Sequence, residues 1–411
     1  MLQRRSLLQA IGGAVALGAG GVMPRLASAG ENAPLTTGLP GGEYDTAVLD
    51  ALPGKKPLIK LSYRPPNYET PVSYFATKFT PNDAFFVRYH LADIPTSVDA
   101  RSWKVKIGGE GAESSIEIGL ADLQSGFEQV EIAAVCQCSG NRRGLSNPHV
   151  PGVQWGLGAM GNALWKGVRL KDVLAKVRLK KEAIELVLNG ADGPVLEKTP
   201  DFVKSIPVWK GLDENTLIAY AMNGEPLPLL NGAPVRLVVP GWTATYWMKH
   251  LVTIDAVTKP FDGFWVKSAY RIPTGKFPVI DRFLTQEAPG STPITEIVVN
   301  SIITSPNAPL RQPARKPVDL RGIAWDAGYG IARVEVSGDG GVTWHDAALG
   351  SDSGRFSFRE WSYRFVPGKP GTYTVLAKAS NHAGQTQADS LIFNPAGYHN
   401  NVPRPLTITA V

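Results

Sequence analysis

Cysteine is nearly absent from this 411-residue chain, with two in all, which excludes a fold stapled by disulfides. Neither sign of charge dominates, since 42 Lys and Arg stand against 36 Asp and Glu for a net of +6. No basic run carries interleaved aromatics, so nucleic-acid binding is not expected. No apolar run reaches the roughly 20 residues that a membrane-crossing helix needs. There is no G-x-S-x-G elbow for a hydrolase nucleophile and no G-x-x-x-x-G-K loop, and nucleotide-phosphate binding is not expected. The six histidines are scattered and no second cysteine pair exists, which disfavours a zinc site. What is abundant is glycine and proline, 43 and 33 residues, which favours turns and strands over long helices. Length alone implies more than one domain.

The amino terminus reads as an export signal over 1–29. Gln3-Arg4-Arg5-Ser6-Leu7-Leu8 opens it with paired arginines, a mildly apolar stretch diluted by glycine follows, and Ala27-Ser28-Ala29 supplies the small residues of a cleavage site. The twin arginine with low apolarity leans toward the route that exports folded proteins, which places the chain in the periplasm. Removing Arg4, Arg5 and Arg25 halves the net charge of +6, so the basic balance is partly the signal's. The mature form is expected to have no membrane span.

Residues 30–60 read as an extended N-terminal arm. From 61 to 290 the pattern predicts an α+β domain, with strands at 131–135, 183–188 and 235–240 and a helix over 170–177. Gln286 to Pro293 is a polar, proline-containing link. Beyond it, 294–411 reads as an all-β sandwich of immunoglobulin type, with strands at 297–302, 318–323, 331–337, 356–365 and 372–379. Asp339-Gly340-Gly341 and Asn381-His382-Ala383-Gly384 mark its turns.

Both cysteines fall in Val135-Cys136-Gln137-Cys138-Ser139-Gly140-Asn141-Arg142-Arg143-Gly144. They are expected to point to opposite sides, Cys136 into the core and Cys138 into the loop, with no disulfide between them. Arg142 and Arg143 would favour the Cys138 thiolate, the form that a soft or high-valent metal takes.

Cys138-Ser139-Gly140-Asn141-Arg142-Arg143 resembles the molybdenum-ligand loop of the sulfite oxidase family of molybdopterin enzymes. Asn82 to His90, Met222-Asn223-Gly224-Glu225-Pro226-Leu227-Pro228, Pro234 to Gly241 and Val336 to Trp344 resemble further segments of that family in the same order, and the exported bacterial sulfite dehydrogenases within it are the most similar in kind. The resemblance implies a molybdopterin-binding domain, a dimerisation-type sandwich, and a molybdenum–pyranopterin cofactor with Cys138 as metal ligand. Sulfite would be oxidised to sulfate, with Arg88, His90 and Arg143 holding the oxyanion and Tyr270 hydrogen-bonding near the metal. Phe86, Val87, Arg88, Tyr89, His90, Asp192, Asn231, Arg236, Trp247, Met248 and Lys249 would hold the cofactor, Arg236 and Lys249 by its phosphate. Ala396 stands where many eukaryotic members place a further substrate arginine.

With no C-x-x-C-H motif and no segment resembling a fused haem domain, the electrons would pass to an external c-type cytochrome, a shuttle or a tight subunit. A homodimer or a heterodimer with the cytochrome is compatible with this. The alternatives are a family member acting on another sulfur substrate, protein-bound or a sulfoxide, and a cofactor-free exported binding protein.

Overall fold

The computed structural model describes residues 49–274 and 290–411. The export signal at 1–29 and most of the segment read as an arm lie outside the described residues. From Leu49 onward that arm is a sheet instead. Leu49–Asp50 pairs with Leu58–Ser62, which pairs with Asn67–Glu69 and then Val87–Arg88. The polar link likewise ends in a strand, Ser291–Pro293, paired with Arg271–Pro273.

Two five-stranded sheets follow the first. One runs in the order Lys204–Pro207, Glu185–Gly190, Leu251–Val257, Lys104–Gly108, Ile116–Gly119, and contains the parallel pair 251–257 with 104–108. The other runs Glu225–Pro226, Leu217–Met222, Met160–Arg169, Gln129–Gln137, with Arg236–Val238 added against Leu217–Met222. Helices are few, as the glycine and proline content predicts. Leu170–Val177 is a helix over the predicted residues, because Leu170, Val173, Leu174 and Val177 fall at helical spacing and are all buried.

Gly156-Leu157-Gly158-Ala159-Met160-Gly161 has the G-x-G-x-x-G spacing of dinucleotide-binding proteins. It leads from a loop into the strand Met160–Arg169 rather than into a helix N-terminus, so it lacks the geometry that cradles a pyrophosphate.

Beyond residue 294 the described residues form strands only. Asn300–Ser305, Val318–Trp325, Arg359–Phe365 and Ala348–Leu349 make one sheet. Leu310–Gln312, Leu406–Ala410, Gly371–Asn381, Ile331–Ser337 and His345–Asp346 make the other. A single apolar cluster takes Val318, Leu320 and Trp361 from the first sheet and Val334, Val375 and Ile408 from the second, so the sheets face each other across a shared core. Asp339-Gly340-Gly341 turns the chain between Ile331–Ser337 and His345–Asp346, with both glycines at positive φ.

All described residues belong to one compact unit. Val72, Phe75, Val135, Leu157 and Met160 pack in one cluster with Ile297, Ile302, Ile323, Trp325 and Phe358. The two halves of the chain therefore share apolar core, and the Val135 amide donates to the Phe356 carbonyl at 2.9 Å across the same boundary. Among the described residues, no helix is long and apolar enough to cross a membrane.

Candidate active site

The strand Gln129–Gln137 ends at the thiol loop. Successive side chains of a strand alternate, so residues two apart share a face. Cys136 and Cys138 accordingly line the same cleft, which overturns the expectation that they point to opposite sides. Both are free and buried. Burial pushes the Cys136 thiol up to about 11, although Arg236 opposes the rise. The Cys138 amide donates to the Ala159 carbonyl at 2.9 Å, and the Asn141 side-chain carbonyl accepts the Ala159 amide at 3.0 Å. The neighbouring segment is fixed in turn by the buried Glu69 carboxylate, which accepts the amides of Gly156 and Gly158 at 2.7 and 2.9 Å.

The segment Phe86 to His90 contributes to the same cleft. Phe86, Arg88 and His90 line the cleft, while Val87 and Tyr89 turn away into a cluster with Leu58 and Tyr68. The alternation of extended backbone excludes those two side chains from the cofactor-facing set expected of them. Arg88 Nη1 donates to Asn67 Oδ1 at 3.0 Å, and the Arg88 carbonyl accepts Lys249 Nζ at 2.8 Å. His90 Nε2 and the Tyr270 hydroxyl form a hydrogen-bonded pair. The His90 ring lies flat on Phe202, with centroids 3.7 Å apart. Burial first, then the charges of Arg88, Lys249, Lys204 and Arg143, hold His90 well below the ordinary histidine range, so it is neutral at pH 7. Burial raises the Tyr270 phenol, which stays protonated. Tyr270 also has φ 58°, a left-handed backbone that costs a tyrosine energy and that its packing on Tyr398 sustains.

The same cleft is lined by Asp192, Asn231, Arg236, Trp247, Met248 and Lys249. The Arg236 guanidinium lies 5.1 and 5.8 Å from the ring centroids of Trp165 and Trp247 and donates to the carbonyls of Asn231 and Trp247 at 2.8 and 3.0 Å. Burial lowers Lys249 to about 8 against the opposing pull of Asp192, and burial raises Asp192. Asn231 is already engaged at both ends, its Oδ1 accepting Lys55 Nζ and its Nδ2 donating to the Phe86 carbonyl at 3.1 Å.

The two loop arginines part company. Arg143 does not line the cleft. Its Nε and Nη1 donate to the carbonyls of Ala396 and Val153 at 2.6 and 3.1 Å, beneath the Tyr398 ring that stacks on Tyr270. Arg142, with φ 71°, turns toward the C-terminal sheets and hydrogen-bonds Asn300 Oδ1 and the Val402 carbonyl. Arg143 is therefore not at the cleft wall expected of it, because it is drawn to the Ala396 carbonyl that the second half of the chain brings over the loop, and Arg142 is held by Asn300 and Val402 of the same half.

Whether these residues suit a polar, metal-bearing group can be judged from what they leave unmet. Ser139 Oγ, Thr245 Oγ1 and Arg236 Nε are buried, cleft-lining polar atoms with no hydrogen-bond partner. Buried donors without partners are costly, and a ligand rich in acceptors resolves them. Among the described residues no three His, Cys, Asp or Glu gather to form a metal cage. A metal beside Cys138 would take its other donors from outside the protein side chains, which fits the dithiolene that the family resemblance implies.

The family model described as "Oxidoreductase molybdopterin binding domain" matches residues 91–265, and that described as "Mo-co oxidoreductase dimerisation domain" matches 291–408. Sulfite oxidase of Gallus gallus is 32% identical over 347 residues, spanning 80% of this chain and 72% of the relative. The chain belongs to the sulfite oxidase family. Mitochondrial sulfite oxidase of Rattus norvegicus is 31% identical over 366 residues, which span 85% of this chain but 65% of the rat protein, so the chain spans about two thirds of that relative's length. The sulfane dehydrogenase SoxCD from Paracoccus pantotrophus shares the fold, with TM-score 0.72 over 85% of this chain and 88% of that one at 23% identity. As a sulfite oxidase family member, the chain carries a molybdopterin-binding domain of oxidoreductase type, which takes a molybdenum–pyranopterin cofactor, and its sheet-rich second half matches the family's dimerisation domain.

Several residues of this family site escape a linear reading. Phe202 and Tyr398 stand far in sequence from the His90 and Tyr270 rings they support. Lys55 comes from the segment read as an arm, yet its ammonium donates to the carbonyls of Asn82 and Phe85 at 2.6 and 3.1 Å as well as to Asn231. Thr245 had a signal in its position four residues past Gly241, at the end of a quoted family segment.

Proposed function

We propose that the chain oxidises sulfite to sulfate and passes the electrons one at a time to a c-type cytochrome, in the periplasm after export by the twin-arginine route. The observation that carries this reading is one cleft in which the Cys138 thiol meets Arg88 and the His90–Tyr270 pair. Bound there, the molybdenum–pyranopterin supplies a two-electron redox change and oxygen transfer to sulfur.

The residues do the rest. Cys138 ligates the metal. Arg88, its guanidinium plane set by Asn67, offers forked donors to an oxyanion. His90 is neutral, and in the tautomer protonated on Nε2 it donates to the Tyr270 oxygen, which leaves the Tyr270 hydroxyl proton free for a substrate oxygen. Arg143 adds positive charge from behind Tyr270 and steadies that ring through Tyr398. Arg236, Lys249 and the free hydroxyls of Ser139 and Thr245 hold the polar cofactor. The dimerisation domain joins two copies, or one copy to its cytochrome subunit.

A second reading, oxidation of a sulfur atom carried on a partner protein, is favoured by Ala396. That residue lends Arg143 a backbone carbonyl and brings no cation of its own, so free sulfite has one charge fewer to bind. Steady-state oxidation of sulfite and of a sulfane substrate, with cytochrome c as acceptor, separates the two. Purified protein should carry about one molybdenum per chain. Cys138→Ser should abolish turnover, and Cys136→Ser should keep activity within about tenfold, as expected for a residue beside the metal shell. The reverse outcome assigns the metal to Cys136.

A further inference from the structure

Lys204 opens the strand Lys204–Pro207 with its side chain completely buried. Its ammonium donates to the Trp265 carbonyl at 2.5 Å and lies 4.8 Å from the Tyr246 ring centroid and 5.2 Å from that of Tyr270. Tyr246 is pinned by its own hydroxyl, which donates to the Ile294 carbonyl at 2.5 Å. The cation is thus held in a fixed aromatic slot whose far wall is Tyr270. Among the described residues Lys204 forms no ion pair, and it does not line the cleft. A buried cation without a carboxylate partner is costly, whereas an apolar chain of the same length would fill the slot at less cost.

We propose that Lys204 is a positioning residue for anion binding, its ammonium polarising the Tyr270 ring so that the Tyr270 hydroxyl becomes a stronger hydrogen-bond donor to a sulfur oxyanion in the cleft. This rests on the reading of the cleft as a site for such an anion. A cation on the face of a phenol ring draws electron density from it, and in a buried site the effect is weakly screened. The groups facing Lys204 are the two tyrosines, the Trp265 carbonyl and the Arg271 guanidinium, with His90 and Arg88 beyond the Tyr270 ring. Burial, with Arg271 adding to it, lowers Lys204 to about 7, so its charge is present below neutral pH and is lost above. Tyr246 and Tyr270 are both raised by burial and remain neutral phenols across that window.

Binding of inorganic sulfate to the oxidised holoenzyme, followed by calorimetry at pH 6, tests this without turnover. Lys204→Met should weaken sulfate about tenfold and Lys204→Arg by less than about twofold. In a Tyr270→Phe background Lys204→Met should add nothing further, because the charge acts through the lost hydroxyl. At pH 8.5 the gap between wild type and Lys204→Met should close. Lys204→Gln serves in the same comparison where methionine packs badly. Equal weakening by arginine and methionine, or an undiminished loss in the Tyr270→Phe background, makes Lys204 a packing residue and overturns the inference. Lysine-dependent sulfate binding in an enzyme that does not oxidise sulfite overturns the reading of the substrate instead.

Discussion

Arg142 and Arg143 are adjacent and chemically identical, yet their surroundings give them separate work. Arg142 is 1% exposed and ties the thiol loop to Asn300 and Val402. Arg142→Ala strands those acceptors and opens a cavity, so it should cost about 3 kcal/mol in urea unfolding, with the loss shared by both halves of the chain. Arg143 stands behind Tyr398 and Tyr270 and contributes charge to Tyr270 and His90. Arg143→Gln should raise KM for sulfite about tenfold with a smaller change in kcat, which steady-state kinetics reads directly. The sequence motif marks both arginines as special. It does not say which faces the anion, because their directions are set by the carbonyls of Ala396, Val153 and Val402, roughly 250 residues away for two of the three.

At the scale of elements, strand alternation accounts for most of what the cleft contains. It sends Phe86, Arg88 and His90 one way and Val87 and Tyr89 the other, and it brings Cys136 and Cys138 to one face. The helix over Leu170–Val177 was legible because its apolar spacing is its burial pattern. Chain reversals around the site were less so, since they depend on close backbone approach. A Cβ on Gly158 would stand 1.8 Å from the Thr70 carbonyl oxygen, and that backbone cannot retreat because the Thr70 amide donates to Gly158 and Glu69 clamps the Gly158 amide. Gly158→Ala should therefore cost about 3 kcal/mol or more and shift the segment behind Cys138, visible as a lowered urea midpoint together with reduced molybdenum content.

For the whole molecule, the cluster shared between Phe75, Met160, Trp325 and Phe358 means that the two halves are stabilised together. Thermal unfolding of the described body should give one calorimetric transition, and two resolved transitions would contradict the shared core. Acid should expose a second collective property. Burial lowers His250 and His399 to about 4 from an ordinary 6.5, so each is neutral when folded. The unfolded chain binds those protons first as pH falls. Stability is therefore intact above about pH 6.5 and declines toward pH 4, by about 2 kcal/mol for each histidine. Urea unfolding at pH 7 and 4.5 measures the fall, and His399→Gln should remove one share of it.

The sequence by itself determined the strand-rich character, the family, the cofactor class and the set of residues around which a site could form, because composition, spacing and short motifs are local properties. Tertiary structure alone decided which of those residues share the cleft. Whether Arg143 faces a substrate, whether Asn231 has a hydrogen bond to spare, and whether Lys204 lies against Tyr270 all depend on partners from other strands. Burial and hydrogen-bond competition among groups far apart in the chain settle those questions, and no linear pattern records them.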